Sequence, residues 1–343
     1  MRSPHQILVT GGLGFIGSAF IRWLLATPTF KGQIINIDKM THGSNSANLS
    51  GFENDPRYHF YKLDICDFEA LSKICDQHPI DTLVHFAADS HVDRSIYGPR
   101  DFVHNNIQGT FELLEIIRKR PHIHFHHIST DEVYGSLGDK GFFNEHSSYQ
   151  PNSPYSATKA ASDHLVKAWA HTYGLSITMS HCSNNYGPYQ NPEKLIPHMI
   201  QCALLGKNLP VYGNGHNVRD WIHVEDHVRG IWLIIQQAAS GSCYNLGSRQ
   251  TKTNLELVEE IARQIAAYKN EPAETYLKRI EFVKDRKGHD YRYAIDPSKA
   301  EQELGFSARY DLVSGLKTTI DWYLHHESWL LGHKPLGIQT QKA

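Results

Sequence analysis

Over its first half the chain alternates short apolar runs with longer amphipathic stretches. QILVT, QIINI, TLVHF and HFHHIS read as buried strands. SAFIRWLLA, DFEALSKICDQ and the stretch from Asp101 to Lys119 read as helices. Such alternation predicts an α/β fold with a parallel sheet and helices on both faces. The second half is less regular. A helix is predicted from Pro154 to Tyr173, then the strand ITMSHC, then loop-rich sequence full of Asn, Pro, Gly and Tyr after Asn184. Helical spacing returns at Val224 to Ala239, Asn254 to Tyr268 and Leu312 to His325. The expected layout is a sheet domain over 1–183 to which later segments return, a smaller C-terminal substrate-binding lobe mainly over 184–330, and a loose tail over 331–343.

Composition narrows the function classes. The 343 residues are 40% hydrophobic and 20% charged, with a formal net charge of -2. No basic surplus points to nucleic acid. No run of about 18 apolar residues points to a membrane span. The start, MRSPHQILVT, runs straight into a strand, so no signal peptide is expected. The five cysteines are scattered without zinc or redox spacing, which fits a reducing, cytoplasmic setting. His122, His124, His126 and His127 suggest a metal cluster at first sight. In an extended strand alternate side chains face opposite ways, and no acid or cysteine lies beside them, so no metal is expected.

Gly11, Gly12, Gly14 and Gly17 form GGLGFIG between the first strand and the following helix. Glycines there permit a tight turn and close approach of a pyrophosphate to the free N–H groups of the helix N-terminus. The second strand ends in Asp38, 21 positions after Gly17 (38 − 17), placed to accept from both adenosine ribose hydroxyls and to repel a 2′-phosphate. NAD is therefore favoured over NADP, on a Rossmann-type doubly wound sheet. Asp64 and Ile65, after a third strand, are placed to hold the adenine amino group. The plain alternative is that Asp64 caps the helix starting near Phe68.

Tyr155 and Lys159, four apart on a helix, share one face. A free phenol is a poor base at neutral pH, but a nearby ammonium and a positively charged nicotinamide favour the phenolate. Asp131 and Glu132 are adjacent carboxyls. Two carboxyls in one pocket hold different protonation states, since one charge raises the other's pKa, and loss of water from a sugar needs both an acid and a base. Alone, either pair reads equally as a solvated helix face or cap.

GGLGFIG, Tyr155-x-x-x-Lys159 and a hydroxyl residue after the fifth strand resemble the short-chain dehydrogenase/reductase superfamily. HFAADSHVDRSI, HHISTDEVYG, PYSATKAASDHL, SNNYGPYQNPEKLIP, VRDWIHVEDH and DRKGHDYRYA resemble, in order and spacing, its dTDP-glucose 4,6-dehydratase family along nearly the whole chain. That resemblance implies C4 oxidation at bound NAD with Tyr155 taking the hydroxyl proton, Thr130 bonding the C4 oxygen and Lys159 gripping the nicotinamide ribose. It implies that Glu132 removes the C5 proton and Asp131 protonates the departing C6 hydroxyl. It places Phe15, Ile16, Lys39, Thr41, Phe86, Ala87, Ala88, Ser90, Asn105 and Asn185 beside the cofactor with the glycines. It places Ser90 and Thr130 at the hexose, and Lys194 and Leu195 at the nucleotide. Arg219, Arg286 and His289 fall at the diphosphate, Asn184 and Asn254 at phosphate or sugar oxygens, and Pro210 and Tyr212 against the base. Lys287 stands where the family has proline, and Asn105 where it often has threonine. A homodimer is also implied, with Ala157, Ala160, Ala161, Leu165 and Ala168 as a close-packing helix face, although those residues serve equally as core.

Three alternatives stay open. A nucleotide-sugar 4-epimerase shares the glycine turn, Tyr155 and Lys159 but has no use for the acidic pair. A catalytically silent NAD-binding regulator is expected to lose part of that set. The same dehydration on a UDP- or GDP-sugar differs mainly in contacts to the base.

Overall fold

The computed structural model describes residues 1–332. Twelve strands occur in them: β1 (Gln6–Thr10), β2 (Gln33–Asp38), β3 (Tyr58–Lys62), β4 (Thr82–His85), β5 (His124–Thr130), β6 (Ile177–Cys182), β7 (Asn184–Tyr186), β8 (Leu209–Tyr212), β9 (Val218–His223), β10 (Cys243–Leu246), β11 (Thr251–Thr253) and β12 (Ile280–Val283). Seven form one parallel sheet in the order β3-β2-β1-β4-β5-β6-β10. The strand order reverses between β1 and β4, the place where such sheets open a crevice at their carboxyl ends.

Helices cover both faces because the central strands are apolar on both sides. On one face the helix Phe15–Ala26 sets Phe20, Ile21 and Leu24 against Ile231, Ile234 and Ile235 of the helix Val224–Gln237. On the other, Leu71, Leu113, Leu114 and Val166 pack from the helices Phe68–Gln77, Gly109–Arg118 and Pro154–Tyr173. Full burial of each such side chain is worth roughly 1.5–3 kcal/mol.

A third core belongs to the C-terminal half. Ile196, Leu257, Ile261, Leu316 and Tyr323 meet between the helices Leu195–Leu204, Asn254–Lys269 and Leu312–His325. The pairs β8–β12 and the small sheet β11-β9-β7 close this lobe. The chain beyond 184 builds both bodies: β10 pairs with β6, and Ala300 and Leu304 pack into the first core. Leu331 and Gly332 finish a short helix, Glu327–Gly332, and the rest of the tail expected over 331–343 lies outside the described residues.

Two local features position the site. The helix Pro154–Tyr173 is held at its start by a capping box between Ser153 and Ser156 with Pro154 in the first turn, and stops at Gly174 in the left-handed region (φ 65). The stretch expected as one helix from Asp101 to Lys119 is instead interrupted by a π-helical turn, Val103–Gln108. Its Asn106 accepts from the Asp89 amide (2.8 Å) and donates to the Asp89 carbonyl (3.0 Å) and to Thr158 Oγ1 (2.9 Å), joining the segment after β4 to the Tyr155 helix. Such a bulge lets one side chain reach two elements.

The histidine-rich strand is buried. His124 and His126 hydrogen-bond the hydroxyls of Ser176, Thr178 and Ser180, while His127 faces Asp163. Among the described residues no group of His, Cys, Asp and Glu is placed to hold a metal ion, and no helix is long and apolar enough to cross a membrane.

Candidate active site

A cleft of about 1700 Å³, open to solvent, runs along the carboxyl ends of β1, β2, β4 and β5. It begins at the glycine turn. Gly11 has φ +72, and a Cβ there would lie 2.6 Å from the Ala87 backbone. A Cβ on Gly17 would lie 2.4 Å from the Gly11 carbonyl. The helix that follows has neither a side-chain cap nor an acid in its first turn, and Phe15, Ile16 and Gly17 line the cleft. Its uncapped N–H groups and positive dipole end fit a pyrophosphate.

Asp38 closes the far end of the turn. Its Oδ2 accepts from the Leu13 amide (3.0 Å), and its Oδ1 from the Met40 amide (2.7 Å) and Ser44 Oγ (2.6 Å). A carboxylate offers about four acceptor positions, so the protein fixes its orientation and leaves about one for a ribose hydroxyl. Lys39 bonds Asp64 (3.2 Å) and Asn105 Oδ1 (2.5 Å), and Asn105 donates onward to Asp89. Asp64 does not cap the next helix, since Asp67 does so through the Ala70 amide. Every residue assigned to the cofactor from sequence, Gly12 and Asp64 excepted, lines this cleft.

Thr130, Asp131, Glu132, Tyr155 and Lys159 line the same cleft. Thr130 ends β5 and caps a 3-10 turn, Asp131–Tyr134, so both acids leave the strand end side by side. Asp131 is 2% exposed and its Oδ2 has no partner. Burial, then the negative charges of Glu132 and Asp220, hold its carboxyl well above the usual range. Burial also raises Glu132, but the positive charges of Arg286, Arg219 and Lys194 pull it back. The neighbours thus sort the pair: Asp131 keeps its proton and Glu132 gives one up more readily.

The surroundings of the Tyr155 phenol oppose its ionisation. Burial, then the charges of Glu132 and Cys182, push it well above its ordinary value, against a hydrogen bond from Thr130. Burial lowers the Lys159 ammonium, and its Nζ donates to the Ile128 carbonyl (2.9 Å). Lys159 alone therefore does not make Tyr155 a base, and further positive charge beside the phenol is required.

The residues expected at the nucleotide sugar divide. Ser90, Thr130, Asn184 and Lys194 line the cleft; Leu195, Pro210, Tyr212, Arg219, Asn254, Arg286 and His289 do not. Lys194 donates to the Ser90 carbonyl (2.7 Å), across the cleft mouth. Leu195 opens a helix and packs in the C-terminal core, and the Asn254 amide bonds the Asn217 carbonyl (2.9 Å). Arg219 lies over the Tyr293 ring (4.3 Å) and spends its donors on the carbonyls of Val218, Asp290 and Tyr291, so it acts on the dyad as a fixed charge. Arg286 keeps a buried Nε without a partner. His289 bonds Asp285 (2.7 Å) and meets the Tyr212 ring edge-on, while Pro210 sits in β8. Cys182, Gln190, Asn191 and Glu193 also line the cleft without having been singled out. The last three lie within the quoted block SNNYGPYQNPEKLIP.

Comparison with known proteins agrees with this geometry. The family model described as GDP-mannose 4,6 dehydratase matches residues 8–319. A dTDP-glucose 4,6-dehydratase of Haemophilus influenzae is 48% identical over 337 residues, covering 94% of this chain and 99% of the relative. The crystal structure of a dTDP-glucose 4,6-dehydratase from Streptomyces venezuelae, with NAD bound, superposes with a TM-score of 0.91 at 42% identity, covering 96% of this chain and 100% of that one. A Thermotoga maritima UDP-glucose 4-epimerase is more distant, at 28% identity and a TM-score of 0.83 over 94% of this chain and 99% of that one.

Proposed function

The chain belongs to the dTDP-glucose 4,6-dehydratase family of the extended short-chain dehydrogenase/reductases, and from that premise we propose that it converts dTDP-glucose to dTDP-4-keto-6-deoxyglucose. The observation that carries this reading is the buried pair Asp131 and Glu132, unequal in acidity, in the cleft that holds Tyr155 and begins at the glycine turn. NAD held along that cleft by the glycine turn, Asp38 and Lys159 would supply a hydride acceptor and donor for C4 and C6 and the positive charge that Tyr155 lacks.

The residues divide the remaining work. Tyr155 takes the proton of the C4 hydroxyl, with Thr130 bonded to the same oxygen and Lys159 holding the ribose. Oxidation at C4 acidifies C5–H, which Glu132 removes. Asp131 gives its proton to the departing C6 hydroxyl, so water leaves across C5–C6. Glu132 then reprotonates C5. Ser90 and Asn184 face the hexose. Arg219, Arg286 and His289 oppose the diphosphate with Asn254, Lys194 and Leu195 at the nucleotide and Pro210 and Tyr212 against the base. A 4-epimerase makes no use of an acid at C6, and the presence of the whole catalytic set speaks against a silent NAD-binding regulator. The nucleotide part occupies the C-terminal lobe of 184–330. The working form is a cytoplasmic homodimer, docked through Ala157, Ala161, Leu165 and Ala168, which lie exposed or half-buried on one helix face, whereas Ala160 packs inside the subunit.

The test is incubation of purified protein with dTDP-, UDP- and GDP-glucose, without added cofactor, followed by the alkali-induced ultraviolet absorbance of a 4-keto sugar. Strong signal with dTDP-glucose is expected. A C4-epimerised product with C6 intact overturns the dehydratase reading, and a stronger signal with UDP- or GDP-glucose overturns the choice of base.

A further inference from the structure

Behind the catalytic pair lies a polar cluster that the reaction above does not use. Asp163, one helical turn beyond Lys159, is fully buried. Its Oδ1 accepts from His127 Nε2 (3.1 Å), and its Oδ2 from Ser129 Oγ (2.8 Å) and His181 Nε2 (3.0 Å). The Tyr149 hydroxyl lies 2.8 Å from His181 Nε2. From the same helix, Lys159 donates to the Ile128 carbonyl. Three successive residues of β5 are thus gripped from one helix face, and the next three are Thr130, Asp131 and Glu132.

The hydrogen bonds also constrain the charges. Tyr134 donates its proton to Asn245 Oδ1 (3.0 Å), so its oxygen is left to accept from His181 Nδ1 (3.1 Å). His181 Nε2 lies between the Asp163 carboxylate (3.0 Å) and the Tyr149 hydroxyl (2.8 Å), which itself accepts from Lys167 (3.1 Å). Burial opposes a charged His181 ring, but Cys243 and Asp163 beside it hold it above its ordinary value, so the imidazolium paired with Asp163 is favoured. His127 donates from Nε2 while its Nδ1 has no partner, so it is neutral.

We propose that Asp163 is the positioning residue of this site: it clamps the Tyr155–Lys159 helix to β5 and β6 and supplies the countercharge for the Lys159 ammonium. Asp163 is the carboxylate whose charge raises that ammonium against its burial. The other titratable groups around Lys159 are Tyr155 on its own helix, His85 on β4, His127 on β5 and Cys182 on β6. Around Asp163 they are His127, His181, Tyr134, Tyr149 and, through His181, Cys243 on β10, 3.2 Å from its Nδ1. Directions of ionisation agree, since burial lowers Lys159 and Asp163 raises it. The inference rests on the reading of Tyr155 and Lys159 as the alcohol-oxidising pair.

The variant Asp163→Asn keeps the shape and removes the charge. Without its countercharge Lys159 loses its proton at lower pH, so the alkaline limb of kcat for 4-keto sugar formation moves down by about one pH unit or more. KM for the nucleotide sugar stays within about two-fold, because substrate does not touch Asp163. A folded variant whose alkaline limb matches the parent overturns the proposal, whatever its kcat. Nitrogen-15 NMR of the unmodified protein gives a second arm, independent of the variant's folding. Both His181 ring nitrogens are expected to be protonated at pH 7 to 8, and a neutral ring overturns the proposal. Absence of 4-keto sugar with the unmodified protein is a failure of the dehydratase reading instead, and the NMR arm still decides whether the clamp exists.

Discussion

Gly14 and Gly17 stand three residues apart in the same turn, yet the structure asks different things of them. A Cβ on Gly17 meets the Gly11 carbonyl at 2.4 Å, Gly12 Cα at 2.9 Å and the Gly11 carbonyl carbon at 3.0 Å. Ordinary contact starts at 3.4 Å, so the carbonyl and the helix must part by 1.0 Å (3.4 − 2.4). Neither side is free to move. Gly11 is tied to the Ile37 carbonyl (2.8 Å) and pressed against Ala87, and the helix carries the fully buried Phe20 and Ile21. Overpacking of this kind costs about 1–3 kcal/mol. The better helix propensity of alanine returns roughly 1 kcal/mol. Gly17→Ala is therefore expected to destabilise by up to about 2 kcal/mol, a fall in Tm of several degrees at ~2–4 °C per kcal/mol. At Gly14 the same methyl meets only the Gly11 oxygen at 3.2 Å and the Gly43 oxygen at 4.0 Å, and it enters the cleft. Gly14→Ala is expected to leave Tm unchanged without cofactor and to weaken NAD about ten-fold or more, on the order of 1.4 kcal/mol. Thermal melts and NAD titration of cofactor-stripped protein measure both effects. A Gly17→Ala protein melting at or above the parent refutes the packing argument. A Gly14→Ala protein that binds NAD as the parent does refutes the assignment of that space to the cofactor.

Glu132→Gln is expected to keep nucleotide-sugar affinity while slowing exchange of the C5 hydrogen with solvent by about 100-fold or more; proton NMR in heavy water measures this, and unchanged exchange removes Glu132 from its role. Stability is expected to peak near neutral pH. Burial keeps five histidines neutral in the fold, His85 and His126 well below the ordinary value, His124 and His227 at about 3 and His127 at about 4, whereas it raises the carboxyls of Asp131, Glu132 and Asp220, the last to about 6. As pH falls from about 6.5 to 5 the unfolded chain fills those five histidines with protons that the fold refuses, more than the raised acids offset. Stability therefore falls as pH drops through that window. Above 6.5 the contribution of His181, raised to about 10, is lost as pH climbs toward that value. A urea midpoint that does not fall between pH 6.5 and 5 contradicts this account.

The sequence made legible what depends on neighbours along the chain. The glycine turn, the capped helix from Pro154 and the alternation of strands and helices are local patterns, and they settle into a parallel sheet with its crevice at the β1–β4 reversal. Elements that owe their existence to distant partners did not announce themselves. Cys243–Leu246 is four residues long and becomes a strand only by lying beside β6. The π-helical turn at Val103–Gln108 has no hydrophobic period of its own and is stitched to Asp89 and Thr158 by Asn106. At the site, sequence placed the dyad beside the phenol but missed the Asp163 cluster, whose partners His127 and His181 lie 36 and 18 residues away. Nor was the resistance of Tyr155 to ionisation readable, because burial of the phenol and the charge of Glu132 beside it are tertiary facts.

Those tertiary facts tie substrate binding to base strength. The cations that draw Glu132 down, Arg286, Arg219 and Lys194, are the groups assigned to the nucleotide diphosphate side. With no anion between them they make that carboxylate a weaker base than its burial alone would. A diphosphate neutralises their field, so the same carboxylate becomes a stronger base once substrate is seated. Asp131 is governed by other neighbours, chiefly its own burial and the charges of Glu132 and Asp220, and keeps its proton throughout. Binding far from the hexose thus acts at C5 rather than only on affinity, the way remote binding energy raises turnover. A hexose lacking the nucleotide diphosphate leaves Glu132 under its three cations, where removal of the C5 proton is slow.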